Sequence, residues 1–198
     1  MEILQSLGLV LGVGWTSGIN LYATIAILGF SHNVGWIALP AGLLPIANES
    51  IILLAFVLYC IEFVIDKIPL ADTTWDSFHT FIRPFGGAVI AYLATQGHGQ
   101  SEQLIAAMIG GSAAFSSHAT KATSRVLINT SPEPVSNWIA SIGADVAVVI
   151  GLWATLQHPL VMIVFVTLFF IFSIWFVKKC FHLLKKIWKS FRNKSHSP

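Results

Sequence analysis

The sequence predicts an all-α membrane protein of about six spanning helices in one domain, and three observations carry that prediction. Only 10% of its 198 residues are charged while 55% are apolar, with a mean hydropathy of +0.75, whereas an ordinary soluble domain is about 25% charged. The apolar residues gather into six runs, roughly 5–30, 50–67, 84–97, 102–118, 135–157 and 159–177, each near or somewhat below the ~20 residues that cross a bilayer core. The basic residues are segregated: seven of the eleven Lys and Arg follow Val177, and the other four are Lys67, Arg83, Lys121 and Arg125.

Basic residues favour the cytoplasmic side of a membrane. With both termini inside, the connections at 31–49, 98–101 and 158 face out and hold no Lys or Arg, while those after Asp66 and His118 and the tail hold all eleven. The expectation is therefore a multi-pass membrane protein with both termini cytoplasmic, residues 1–177 as a single transmembrane domain and 178–198 as a cytoplasmic tail. Cys60 and Cys180 make no disulfide framework and are expected as free thiols.

The first run lacks the basic start and small-residue cleavage site of a secretory signal, so it is expected to remain as a span. Gly8, Gly12, Gly14 and Gly18 give it a small-residue face that allows close helix approach, including a homodimer. Thr16, Asn20 and Thr24 share another face, and Gly18-Ile-Asn20 marks a point of local unwinding. Ser31 to Glu49, with Pro40, Gly42 and Pro45, reads as an outer loop with a short helix.

Run two ends in Tyr59, Glu62 and Asp66 on one helical face. A charge within a spanning helix costs roughly 2.5–3.5 kcal/mol on insertion scales and usually marks an ion or substrate path. Pro69 stops that helix. Residues 72–82 then form a short amphipathic helix, interfacial or re-entrant, with Trp75, Phe78 and Ile82 on one side and Asp76 and His79 on the other, before Pro84 opens run three.

Run four delivers His118, Lys121 and Arg125 to one face at i, i+3, i+7. A positive-inside anchor accounts for the two cations without any function. Run five opens at Ser131-Pro-Glu-Pro134, where Ser131 suits the cap and Glu133 the positive end of the helix dipole. Asn137, Ser141 and Asp145 follow as a polar stripe, Asp145 lying about 16 Å along the helix from Pro134 at 1.5 Å per residue. Run six is uniformly apolar. The tail beyond it interleaves Lys and Arg with Phe181, Leu184 and Trp188, which suits an anionic lipid surface rather than nucleic acid.

The two polar stretches share a plan in which a span ends in acid or His and then Lys, and Thr80-x-x-x-Pro84 or Thr130-x-x-x-Pro134 opens the next span. This reads as a weak internal repeat. Asp66-Lys-Ile-Pro69, Trp75-Asp-Ser-Phe-His79, Thr80-Phe-Ile-Arg-Pro84, His118-Ala-Thr-Lys121 and Asn129-Thr-Ser-Pro-Glu-Pro-Val-Ser-Asn-Trp138 resemble the signature of a bacterial membrane-protein family catalogued only as a domain of unknown function, over about residues 15–157. The resemblance implies that the two polar stretches are the family's hallmark and that the membrane is a bacterial inner membrane, and it supplies no activity.

On the residues themselves, Lys67, Arg83, Lys121 and Arg125, with His79, His118, Thr80, Thr130 and Asn137, form the expected binding set for a small anion or a lipid phosphate. Helix starts at Pro84 and Pro134 would add free N–H groups. Glu62, Asp66 and Asp145 are the expected proton- or Na⁺-coupling residues. The function expected is a transporter without cofactor or metal. Two alternatives stand beside it: an intramembrane enzyme using His, carboxylates or a metal on a lipid, and a structural or assembly subunit whose charges pair only with one another.

Overall fold

The computed structural model describes residues 2–130 and 134–194, with side-chain surroundings over 3–130 and 135–186. Among these residues the elements are helical: α1 Glu2–Ile19, α2 Leu21–Asn33, a 3₁₀ helix Ala41–Ala47, α3 Glu49–Ile65, α4 Ala71–Ala94, α5 Gln100–Ile128, α6 Pro134–Gln157 and α7 Pro159–Lys194. Helices α1, α4 and α5 pack most extensively on one another, α6 and α7 close the other side of α1, and α3 leans on α2.

Glycine sets the register of α1. Gly14 backs onto Gly110, and Gly18 onto Ala114 and Ser117, so α1 runs parallel to α5; Gly8 meets Pro159 and Gly12 meets Thr155, so it runs antiparallel to α6. A Cβ at any of these four positions would overlap its neighbour. The small-residue stripe is thus consumed inside the chain, which removes the reason for expecting a dimer through it.

The first apolar run is not one span. Asn20 adopts an extended conformation (φ −151°, ψ 101°) between α1 and α2, and its Oδ1 accepts from the Ala23 N–H at 2.9 Å, capping α2. Helix α2 then returns to the end of the bundle where α1 began. Gly29 packs beside Ile46, the Asn33 amide donates to the Ala47 carbonyl, and Gly42 of the 3₁₀ helix lies on Leu93 and Gln96 at the end of α4. The start of α1, the α4–α5 turn and the α6–α7 junction share one end of the bundle, and α7 runs from there toward the other.

Run three is also corrected. Helix α4 starts at Ala71 and passes through Pro84, 24 residues in all, or about 36 Å at 1.5 Å per residue. Its amphipathy is inverted, with Asp72, Asp76, His79 and Arg83 buried and Phe78, Phe81, Ile82 and Phe85 exposed. The stretch 72–82 is therefore not a separate short helix but the first half of α4, and Pro84 opens nothing. The two Thr-x-x-x-Pro motifs occupy unlike places, since Thr80 is inside α4 while Thr130 follows α5 and is exposed, so the repeat has no structural counterpart there. The capping expected of Ser131 and Glu133 lies outside the described residues.

On length and apolarity, Val135–Gln157 of α6 and Pro159–Lys186 of α7 can each cross a membrane, and the 3₁₀ helix with α3, bent by 65°, would make a third span. Six crossings are not confirmed. The exposed apolar surfaces of α3, α6 and α7 are compatible with contact with a lipid bilayer.

Candidate functional site

Helical spacing places one polar face of each of three helices at a common level. Helix α3 brings Glu62, with Asp66 at its end; α4 brings Asp72, Asp76, His79 and Arg83; α5 brings His118, Lys121 and Arg125. All are buried, apart from Lys121, whose side chain keeps 7% of its exposure.

The charges pair across the helices. Arg83 Nη2 donates to Glu62 Oε1 at 2.7 Å, and Arg83 Nη1 lies 3.1 Å from Asp76 Oδ1. Lys121 Nζ donates to Glu62 Oε1 at 3.1 Å and Asp66 Oδ2 at 2.8 Å. Arg125 Nη2 lies 3.2 Å from Asp66 Oδ2 and Nη1 3.6 Å from Asp72 Oδ2. Four carboxylates thus face three cations, and Glu62 Oε2, Asp66 Oδ1 and Asp76 Oδ2 are buried with no hydrogen-bond partner among the described residues.

The broken helix joins this network. The Gly18 carbonyl accepts from Arg83 Nη1 at 3.4 Å and the Ile19 carbonyl from Lys121 Nζ at 3.2 Å, so two cations cap the negative end of the α1 dipole. A lysine has three N–H bonds, and those of Lys121 are all taken.

Both histidines have defined tautomers. Arg83 Nη1 lies 2.9 Å from His118 Nδ1, and a guanidinium only donates, so that nitrogen accepts and the proton sits on Nε2, 3.1 Å from Thr80 Oγ1. The Thr80 hydroxyl donates in turn to the Asp76 carbonyl at 3.0 Å. His79 Nδ1–H donates to the Trp75 carbonyl at 2.8 Å, leaving Nε2 of the neutral ring to accept from Tyr22 Oη at 3.0 Å.

Of the expected residues, Glu62, Asp66, His79, Thr80, Arg83, His118, Lys121 and Arg125 are brought together. Asn137 joins them, its carbonyl accepting from Arg125 Nη1 at 3.2 Å and its amide donating to Asn129 Oδ1 at 3.1 Å. Three residues stand apart. Lys67 is half-buried at the edge, donating to the Phe63 carbonyl and to Ser141 Oγ. Thr130 is exposed and donates to the Leu127 carbonyl. Asp145 forms no ion pair among the described residues and lines a separate groove.

Asp72, Asp76, Asn129 and Tyr22 belong to the site and were not assigned to it from sequence. The signal was present, because Asp72, Asp76, His79 and Arg83 follow one helical face. Pro84 masks it, because a proline within the run also suits a helix start.

Beside the network lies a cavity of about 290 Å³ between α1, α5, α6 and α7. Its surface is almost wholly apolar, with Trp15 and Phe169 among the lining; Lys121, Arg125, Ser117, Thr120 and Ser124 also line it, and among the described residues no carboxylate does. Among the described residues, no three His, Cys, Asp or Glu side chains are grouped to hold a metal ion.

No curated protein and no solved structure matches the chain. A family model matches residues 7–179, which takes in every residue of the network, and the chain belongs to that family, described as a domain of unknown function, DUF4126.

Proposed function

We propose that this protein is a carrier of the bacterial inner membrane that moves an anionic group together with a proton. The supporting observation is the position of Lys121, which holds Glu62 and Asp66 while standing in the wall of a carboxylate-free cavity. A proton on Asp66 would weaken its hold on Lys121 and Arg125. The released ammonium and guanidinium would then turn to an anion in the cavity, Arg125 offering a two-pronged fork. One positive and one negative charge enter together, so the low-dielectric interior never holds an uncompensated charge.

A helix broken deep in the bundle, with its carbonyl end at the ion site, is the arrangement that transporters use where substrate and coupling ion meet. Asn20 supplies the break, and Lys121, one of the two cations that cap α1, is also one of the two released. In this reading the Lys/Arg-rich end faces the cytoplasm.

The test is uptake into proteoliposomes of inorganic phosphate, a panel of other small anions and a short-chain lipid phosphate, each with and without an imposed proton gradient. Acid on the entry side is expected to drive uptake of one of these, and Lys121→Ala to abolish it. Absence of gradient-driven uptake across the panel would overturn the proposal. One observation favours the competing structural reading: Lys121 has no N–H to spare in this arrangement. That reading predicts lower stability in Lys121→Ala and no transport by the unaltered protein.

A further inference from the structure

Helices α2, α3 and α6 enclose a groove of about 930 Å³ that the network does not use. It opens sideways, because α3 packs on α2 and has no extended contact with α6. Its walls are apolar over their length, with Ile27, Phe56 and Val149 among them; the charged residues on them are Glu49 at the outer end and Asp145 at the inner end. Among the described residues no Lys or Arg lines it.

Asp145 is unlike the acids of the network. Glu62, Asp66, Asp72 and Asp76 each have a cation within 4.0 Å, and Asp145 has none among the described residues. Lys67, held by Ser141 one helical turn away, is spent on that hydroxyl, the Phe63 carbonyl and the Phe63 ring 2.9 Å below it. A carboxylate facing an apolar groove at membrane depth calls for a positive charge carried on an apolar body. Tyr59, also on the groove wall, offers an aromatic ring of the kind that receives an ammonium group.

We propose that this groove binds a membrane-dissolved organic cation, an amine or quaternary ammonium on an apolar frame, that enters sideways from the bilayer and sets its charge against Asp145. Charge complementarity selects this occupant over a lipid acyl chain, which would leave Asp145 without a counter-ion. The site is separate from the network of Arg83, Lys121 and Arg125, and its test is binding, so it stands or falls independently of the carrier reading.

The experiment is equilibrium dialysis of the purified full chain in detergent against tetraphenylphosphonium, with tetraphenylborate as a probe of the same shape and opposite charge. Saturable binding of the cation is expected, with binding of the borate at least tenfold weaker. Asp145→Asn should weaken cation binding at least tenfold, and so should Val149→Trp, which fills the groove without touching a charge. Equal binding of the two probes, or a cation affinity unchanged in both variants, would overturn the proposal. If Asp145→Asn does not fold, the probe comparison and Val149→Trp decide it.

Discussion

Arg83 and Glu62 meet at 2.7 Å with neither side chain exposed. Removing one partner of a buried ion pair strands the other, at a cost of about 3–5 kcal/mol, whereas replacing both with apolar residues of similar volume is often neutral. Glu62 also serves Lys121, so the cycle reads coupling within a network. Arg83→Met should lower the thermal unfolding midpoint sharply. Arg83→Met combined with Glu62→Leu should recover part of that loss. Purely additive losses in the double variant would show that the contact carries no coupling.

Asn20 caps α2 across the break that divides it from α1. Asn20→Ala removes the acceptor and favours a continuous helix, at a cost of about 0.5–2 kcal/mol for the cap. Thermal unfolding in detergent should register that loss, and transport driven by a proton gradient should fall by more than stability does. An equal fall in both would mean that Asn20 only caps.

With α2 returning beside the start of α3, the start of α1 and the end of α5 are expected on opposite sides of a membrane. With Cys60 and Cys180 replaced by Ser, single cysteines at Ile3 and Gln100 should react with an impermeant maleimide from one side of oriented vesicles. A cysteine at Thr130, exposed at the other end of the bundle, should react from the opposite side. Labelling of all three from one side would refute the arrangement of α1.

Gly18 lies directly against the Ala114 carbonyl and the Ser117 hydroxyl, one residue from the carbonyl that Lys121 caps. Gly18→Leu must push α1 from α5, and such overpacking costs about 1–3 kcal/mol. The expected result is a lowered unfolding midpoint. Gly143, which has open space around it, should tolerate Gly143→Ala with little change, and comparable losses at both positions would contradict the packing described.

Thr80 bridges His118 Nε2 and the Asp76 carbonyl. Thr80→Val keeps the shape and deletes the bridge, leaving the His118 N–H without that partner, at about 1–3 kcal/mol for a buried donor. Thr80→Ser should recover most of the loss. An equal loss in both variants would point to packing of the methyl group.

The helical faces were legible in the sequence because they depend only on local periodicity. His118, Lys121 and Arg125 at i, i+3, i+7 had to project together once α5 formed, as did Glu62 with Asp66. Segregation of Lys and Arg to one end of the bundle was equally local information, readable without knowing how the helices pack. What the cations face was not: each meets a carboxylate on a different helix, and that depends on the register between α3, α4 and α5, which close contacts such as Gly87 on Ala114 establish. The break at Asn20 and the passage of α4 through Pro84 were likewise tertiary outcomes. A buried backbone group or proline is tolerated wherever neighbouring helices satisfy or surround it, and no window of sequence shows those neighbours. Local hydrogen bonding therefore determined which residues travel together, and packing between helices decided which charges neutralise one another and which, as at Asp145, face a groove with no counter-ion among the described residues.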